Sequence, residues 1–279
     1  MWEYFMTVVV GGPVKTRRGF QSFENCTNGG KVSECLKRVL SKTGNAPKTD
    51  KKLYHYTSIG AAVSILRSGY LWLSSPDTMN DTLERACVKQ SMPNLYFTSF
   101  SHSEENMGIY SMYARGSEGV MMRITFEAAE QLLSSLPITS RGRKQVHIVR
   151  NNELTDTVVE ADVYWRAVCY KQLRSNTLAV GTVSNSRIAH PLAEPKLAGF
   201  VKLYGWEYEK EVRLCAVTHT PLNPNEKVAV PIPKNWEVSV VTKPGFNRKS
   251  NEEACMALTQ YDVRVSGSSY EGLVNIAEP

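Results

Sequence analysis

Apolar and polar residues alternate along Leu53–Ser58, and this alternation predicts a half-buried strand. A helix should follow at once, because Ser58 can cap its N-terminus and Gly69 can end it in a left-handed conformation. The apolar run Tyr70–Leu73 then predicts a second strand. The pattern therefore places His55 on a strand that leads into a helix N-terminus, where free backbone N–H groups favour anions.

The rest of the chain is predicted to consist of short strands separated by a few helices. Strands are predicted at 94–100, 120–126, within 158–171, and at 211–217, 228–232, 236–242 and 261–266. Helices are predicted at 107–114, 127–136, in the first part of 198–217 and at 250–261. The segment 172–199 is predicted to be irregular, either an insertion near a site or a mobile loop. These elements together indicate the α+β fold class.

The main domain is predicted to span residues 51–279, after an N-terminal extension at 1–50. The extension contains a short apolar strand at Met6–Val10, a basic turn at 15–18 and a polar helix around Val32–Leu40. It packs on the main domain, contacts a partner or forms a poorly ordered arm. The chain shows no secretory signal, and no apolar run approaches the ~20 residues of a membrane span. We therefore expect a cytoplasmic protein that does not enter the membrane.

The charge and the cysteine content limit which partners and which metal sites are expected. The net charge of +6 and the pI of about 8.9 suit an anionic partner without requiring one. The basic loop at 141–144 is a candidate contact for nucleic acid, with the turn at 15–18 as a second patch. The six cysteines form no CxxC pair, so a structural zinc site is not expected.

A row of carboxylates near the end of the chain is the strongest sign of chemistry. Glu207, Glu209 and Glu211 alternate with other residues, so they would lie on one side of an extended segment. Crowded like charges raise a carboxyl pKa and destabilise the fold unless they are used or paired. The alternative is an exposed sheet edge on which Lys210 and Arg213 neutralise the glutamates.

Several other candidate site residues also have two interpretations when each is taken alone. His55 is a core histidine or a ligand-binding one, and Tyr110 and Tyr113, three residues apart, are core aromatics or a stacking face. Asn80 and Arg85 are site-edge residues or simply a turn residue and a surface charge. The sequence contains no P-loop, GxGxxG, HExxH or GxSxG motif.

Four motifs in a fixed order carry a resemblance to a known family. They are YHYTS at 54–58, the strand and polar loop at 96–101, the aromatic helix at 107–114, and W-x-x-E-x-E-x-R at 206–213. This pattern resembles an uncharacterised bacterial domain family of the ADP-ribosyltransferase-like superfamily. The chain departs from it at Ile109-Tyr110, where the family usually has Met-Trp. Tyrosine keeps a stacking ring but lacks the indole N–H.

The resemblance implies a split antiparallel β-sandwich with flanking helices, and NAD bound as co-substrate in a cleft. It implies cofactor-binding roles for a set of residues on the first strand, its neighbours and the aromatic helix: His55, Tyr56, Thr57, Asn80, Ser101, Tyr110 and Tyr113. The segment around Glu211 is similar to the glutamate strand of DarT-type toxins. That similarity implies the catalytic role for Glu211, with Glu209 as the second candidate.

The function implied is NAD-dependent ADP-ribosyl transfer to a macromolecule, in a bacterial toxin–antitoxin or anti-phage setting. The basic charge favours a nucleic acid acceptor, as in DarT- and CmdT-type toxins, over a protein, and an antitoxin protein is a further expected partner. Two alternatives remain at this stage. One is a non-catalytic module that binds a nucleotide or a partner in the same cleft, and the other is an NAD glycohydrolase.

Overall fold

The computed structural model describes residues 6–8, 52–114, 116–171, 178–180, 199–233 and 236–271. Its strands are β1 (Met6–Val8), β2 (Lys52–Ser58), β3 (Tyr70–Leu73), β4 (Leu95–Ser101), β5 (Gly119–Thr125), β6 (Lys144–Arg150), β7 (Glu153–Ala167), β8 (Cys169–Lys171), β9 (Leu178–Val180), β10 (Val201–Leu203), β11 (Glu211–Thr218), β12 (Lys227–Pro231), β13 (Val238–Thr242) and β14 (Arg264–Ser266). Its α-helices are α1 (Ile59–Ser68), α2 (Thr82–Ser91), α3 (Met107–Tyr113), α4 (Phe126–Ser134) and α5 (Glu252–Thr259). Short 3-10 helices span Pro76–Thr78, Gly116–Glu118 and Tyr204–Glu209.

A ten-stranded sheet dominates the described structure, so the class is mixed α and β, and the split β-sandwich remains a prediction. The strand order is β14-β13-β5-β2-β4-β11-β7-β6-β12-β3. Neighbours are antiparallel except β13 and β14. Outside this sheet, β1 pairs with β9 and β10 pairs with β8. The main core contains the fully buried Trp165, whose indole Nε1 donates to the carbonyl of Ala129 at 2.9 Å.

The first strand and helix form as their sequence predicts, because the controlling signals are local. The Ser58 hydroxyl accepts a hydrogen bond from the Ala61 N–H at 3.2 Å and caps α1. Gly69 ends α1 with a φ of 72°, in the left-handed region. The strands and helices predicted from 94 to 136 and from 211 to 266 are also confirmed, with ends that differ by a few residues.

Strands β2 and β3 both approach the same edge of β4, and a gap separates their two contacts along that edge. Phe97 forms an antiparallel bridge with Ser74, directly after β3, whereas Ser101 pairs with Tyr54 in β2. Ser99 lies between these two contacts. The strands β2 and β3 therefore diverge from β4 at Ser99 and open the sheet there.

Two sequence predictions about this part of the fold were wrong or incomplete. The first part of 198–217 was predicted to be helical, but it forms strand β10 followed by a 3-10 helix. The strand β6 was not predicted, and Lys144, assigned to the basic loop, is its first residue. The turn at 15–18, the helix at 32–40 and most of the segment 172–199 lie outside the described residues.

Candidate active site

A cleft of about 230 Å³ opens where β2 and β3 diverge from β4. This volume is slightly below the ~300–1,000 Å³ common for small-molecule sites, so the cleft suits part of a dinucleotide. Its walls come from β2, β3, β4, β10, β11, the 74–84 segment, α3 and the end of the 3-10 helix at Glu209. The lining residues that matter for its chemistry are His55, Trp72, Asn80, Glu84, Ser99, Ser101, Tyr113, Lys202, Glu209, Glu211 and Arg213.

Cross-strand pairing places the polar side chains of β4 and β11 together. Ser99 lies opposite Arg213, and Ser101 lies opposite Glu211, so these side chains share one face of the sheet. The sequence predicted that the three glutamates alternate along one extended strand, but in the structure they do not. The 3-10 helix ends at Glu209 and Lys210 has a φ of 42°, so the chain turns sharply between Glu209 and Glu211.

The carboxylate of Glu211 accepts four hydrogen bonds or ion pairs and is only 5% exposed. Arg213 donates from Nε to Oε1 at 2.7 Å and from Nη2 to Oε2 at 3.0 Å. Lys202 Nζ lies 2.7 Å from Oε2, and the Ser99 hydroxyl donates to Oε1. A carboxylate offers about four lone-pair positions. Those of Glu211 are thus occupied by groups of the protein.

The carboxylate of Glu209 is equally buried but has fewer donors. The Tyr113 hydroxyl donates to its Oε1 at 2.6 Å, and Lys202 Nζ donates to its Oε2 at 2.7 Å. The Ser101 hydroxyl donates to the Glu209 backbone carbonyl at 2.5 Å and holds the end of the 3-10 helix against β4. Lys202 therefore bridges two carboxylates, and Glu209 keeps more accepting capacity than Glu211.

Glu84, on α2, completes a buried group of three carboxylates and two cations. Arg213 donates from Nη1 to Glu84 Oε1 at 2.6 Å, and its Nη1 also donates to the Gly199 carbonyl at 2.5 Å. Lys202 Nζ is 3.9 Å from Glu84 Oε2. With every group ionised, this cluster carries one surplus negative charge. Glu84 and Lys202 were not predicted as site residues, because Glu84 lies 129 positions from Arg213 and the segment that contains Lys202 was predicted to be helical.

Burial and pairing act in opposite directions on the pKa values of the cluster. Burial alone would raise the pKa of Glu211, but Arg213 and Lys202 outweigh it and hold the pKa well below its ordinary range. Burial raises the pKa of Glu84, because Arg213 offsets it only in part. For Lys202, burial alone would lower the pKa, but the surrounding carboxylates raise it. Glu84 therefore takes up a proton more readily than Glu211.

His55 borders the gap beside β4 and presents a hydrogen-bond acceptor. Its Nδ1 is 2.8 Å from the backbone carbonyl of Ser99, an atom that only accepts, so Nδ1 carries the proton. Burial lowers the pKa of His55, and the Ser99 carbonyl offsets this in part. The neutral ring is therefore favoured, and its Nε2 can accept a hydrogen bond from a ligand.

The two tyrosines of α3 lie in different environments. Tyr110 is 1% exposed, packs edge-on against Tyr56 with ring centroids 4.8 Å apart, and does not line the cleft. Tyr113 is 39% exposed and lines the cleft, and Asn80 hydrogen-bonds it. Burial raises the pKa of Tyr113, as does its bond to Glu209.

Among the remaining predicted cofactor-binding residues, some line the cleft and one does not. Tyr56 lines the cleft, but its hydroxyl donates to the Ser103 carbonyl at 2.6 Å and anchors the loop after β4. Ser101 also lines the cleft, whereas Thr57 is half-buried opposite Val120 and does not. The structure thus brings His55, Tyr56, Asn80, Ser101, Tyr113, Glu209 and Glu211 to one cleft.

The basic loop at 141–144 offers less free charge than its sequence suggested. Arg143 pairs with Glu160 at 3.1 Å, and Lys144 Nζ donates to the Leu133 carbonyl at 2.5 Å. Arg141 is exposed. Of the three cations in this loop, Arg141 is the one that the structure leaves available to a phosphate.

The described ranges contain neither a membrane-spanning helix nor a metal-binding cluster. No helix there has both the length and the apolar character to cross a membrane. Nor do three or more histidine, cysteine or acidic side chains in those ranges gather in a way that could hold a metal ion.

The solved structures that resemble the chain include two of the same protein. They are Thermus sp. 2.9 DarT in complex with NAD+ (15% identity, 80% of this chain and 98% of that chain, TM-score 0.33) and with ADP-ribosylated ssDNA (13% identity, 80% and 96%, TM-score 0.34). At TM-scores this low, the likeness identifies neither the fold nor the function. No family model and no curated protein matches the sequence.

Proposed function

We propose that this protein is an ADP-ribosyltransferase that takes ADP-ribose from NAD and transfers it to a macromolecule. The observation that carries the proposal is the pair of buried carboxylates, Glu209 and Glu211, at a cleft that also presents the neutral ring of His55. The motif pattern described above supports the same chemistry. The cluster's surplus negative charge favours a ligand that is cationic or becomes cationic during the reaction.

The residues present fit the nicotinamide riboside half of NAD. Carboxylates and a neutral imidazole accept hydrogen bonds from ribose hydroxyls, and Tyr113 offers an aromatic ring. The two cations that line the cleft, Lys202 and Arg213, are both bound to carboxylates. The pyrophosphate would therefore be held by groups other than these two.

ADP-ribosyl transfer breaks the bond between the ribose C1′ and the nicotinamide nitrogen, which leaves with the bonding electrons, while positive charge develops on the ribose. A carboxylate close to that charge lowers the barrier electrostatically. The acceptor then forms a bond to C1′ and loses a proton, and a carboxylate of the pair can take that proton. With water as the acceptor, the same site would act as an NAD glycohydrolase.

The geometry favours Glu209 over Glu211 as the carboxylate that contacts the ribose. The resemblance implied Glu211, but the oxygens of Glu211 already accept from Arg213, Lys202 and Ser99. Glu209 has two donors, Tyr113 and Lys202. In this assignment Glu211 positions Lys202 and Arg213, and Lys202 positions Glu209.

A second candidate function is a non-catalytic nucleotide-binding module. The occupied carboxylate of Glu211 favours it, because a saturated ion cluster can serve stability alone. Incubation of the purified chain with NAD separates the two, with nicotinamide release as the measurement. Release that depends on Glu209 supports the transferase, whereas binding of NAD without release supports the module.

We further propose a bacterial toxin or anti-phage role and nucleic acid as the preferred acceptor. The support is the motif resemblance for the role, and the net charge of +6 for the acceptor. An antitoxin protein would be the natural partner of such a toxin. Expression of the wild-type chain in bacteria, beside a variant without nicotinamide release, tests the toxic role by comparing growth.

A further inference from the structure

The gap between β3 and β4 exposes backbone groups to the cleft. Ser74 and Phe97 exchange both of their backbone hydrogen bonds, each at 3.0 Å. Backbone groups two residues apart on a strand point to the same side. The N–H and C=O of Trp72 and of Ser99 therefore face the gap as well.

One of these four backbone groups is bonded to a side chain, since the Ser99 carbonyl accepts from His55. The Ser99 N–H and the N–H and C=O of Trp72 lie beyond the isolated bridge that joins Ser74 to Phe97, where β3 and β4 form no ladder among the described residues. The gap thus presents two backbone donors and one acceptor beside the bonded carbonyl.

The side chain of Trp72 adds a third donor at the same place. Trp72 lines the cleft, and its buried indole Nε1 has no acceptor among the described residues. A buried donor without an acceptor costs free energy, so a ligand atom that accepts from it would be favoured. The same cleft is also lined by Met79, Phe97 and Thr78, which are apolar or bear only a hydroxyl.

These features describe a ligand that is flat, has apolar faces and carries acceptors beside a donor along its edge. A nucleobase has this chemistry. A sugar lacks the apolar faces, and an added peptide strand would need a longer open edge than this gap provides. We propose that the gap between β3 and β4 is a nucleobase subsite, in which the indole N–H of Trp72 donates to a ring nitrogen or carbonyl.

Two sources could supply the base, and both involve the same chemistry. Where the proposed function holds, the base is either the adenine of NAD or a base of the nucleic acid acceptor. The subsite itself requires only that the cleft binds nucleotides. Its test can therefore be read separately from nicotinamide release.

The experiment replaces Trp72 by Phe, which keeps an aromatic ring and removes the N–H. Trp236→Phe is the matched control, because the indole Nε1 of Trp236 is also buried without an acceptor among the described residues, but Trp236 does not line the cleft. The probes are ADP-ribose, nicotinamide mononucleotide and single-stranded DNA and RNA oligonucleotides, titrated by calorimetry. Circular dichroism and thermal melting check that both variants fold.

We expect Trp72→Phe to weaken at least one base-containing probe by about 3- to 10-fold and to leave nicotinamide mononucleotide unchanged. Weaker ADP-ribose binding assigns the subsite to the adenine of the donor, and an effect confined to the oligonucleotides assigns it to the acceptor. If Trp72→Phe matches Trp236→Phe for every probe, the subsite is ruled out. Absence of nicotinamide release from the wild type would overturn the proposed function and leave this result standing.

Discussion

Arg213 and Glu211 lie two residues apart on β11, and the guanidinium of Arg213 donates to both carboxylate oxygens of Glu211, from Nε at 2.7 Å and from Nη2 at 3.0 Å. The same guanidinium bonds Glu84 on α2 and stacks over the ring of Phe97, with its Cζ 4.4 Å from the ring centroid. It therefore joins the candidate site to the helix that covers it. The site and the fold share this residue, and variants of the cluster must be measured for both activity and stability.

The first prediction compares Glu209→Gln with Glu211→Gln. Either change removes one negative charge with little change of shape, so nicotinamide release should fall by at least 100-fold in Glu209→Gln. Glu211→Gln should also lose activity, but with a clear loss of stability, because Arg213 and Lys202 lose their main anion. Release is measured by chromatography, and unfolding by urea titration.

The two variants also decide between the assignments within the pair. A fully active Glu209→Gln beside an inactive, stably folded Glu211→Gln would return the direct role to Glu211. Full activity in both would contradict the enzyme proposal itself. Growth of bacteria that express each variant gives a parallel measurement, since toxicity should disappear together with nicotinamide release.

The second prediction concerns the guanidinium at the centre of the cluster. Arg213→Met should lower the free energy of unfolding by about 3–5 kcal/mol, since it leaves the carboxylates of Glu211 and Glu84 buried without their main partner. Lys89→Met is the control, because Lys89 pairs with Asp77 and both side chains are more than half exposed. The control should cost no more than about 1 kcal/mol. Equal losses in urea unfolding would show that burial of the cluster does not matter.

The third prediction follows from the lowered pKa of Glu211. A carboxyl group with a lowered folded pKa contributes stability above its unfolded pKa, about 4.3 for glutamate, and loses it as the pH falls further. The difference in free energy of unfolding between the wild type and Glu211→Gln should therefore be largest near neutral pH. It should shrink below about pH 4.3. A difference that stays constant from pH 7 to 3 would mean that Arg213 and Lys202 do not lower this pKa.

The fourth prediction addresses His55 as a ligand-binding residue. His55→Ala should weaken NAD binding by about 0.5–1.5 kcal/mol, because the ligand loses the acceptor at Nε2. Because burial lowers the pKa of His55, the ring stays neutral and wild-type affinity should be constant from about pH 6.5 to 8. Calorimetric titration measures both. Unchanged affinity in the variant would make His55 a core histidine that serves only to bond the Ser99 carbonyl.

The sequence predicted those parts of the fold and site that depend on neighbouring residues. Ser58 and Gly69 cap α1 as expected, since capping involves contacts within a few positions. Glu84 could not be found in this way, because its partner Arg213 lies 129 positions further along the chain. Lys202 was missed for a different reason, because it lies only seven residues before Glu209 but in a segment that was predicted to be helical and instead forms β10.

The turn between Glu209 and Glu211 explains why the carboxylates were placed in the wrong geometry. Lys210 adopts a positive φ, which residues other than glycine rarely do, so an extended strand was the natural expectation. In the structure, Glu207 is exposed while Glu209 and Glu211 are buried. The residue types thus indicated the chemistry, but only the backbone turn decides which carboxylates share the cleft.

The last prediction identifies the acceptor. Labelled NAD is incubated with the purified chain and with total RNA, DNA and protein, and the products are digested with nuclease or protease. We expect the label to be released by nuclease. Label that resists nucleases and disappears with protease would contradict the nucleic acid preference and leave the transferase proposal intact.

Arg141→Gln then tests how the acceptor is held. Arg141 is exposed, so it can approach a phosphate, whereas Arg143 and Lys144 are bonded within the fold and are left unchanged. If Arg141 contacts a phosphate, its loss should weaken nucleic acid binding and lower the slope of log affinity against log salt by about 1. Nicotinamide release should not change, because the cleft residues are untouched. Arg248→Gln, which removes a charge from another exposed position, is the control, and equal effects of the two variants would show that only the overall charge attracts the acceptor.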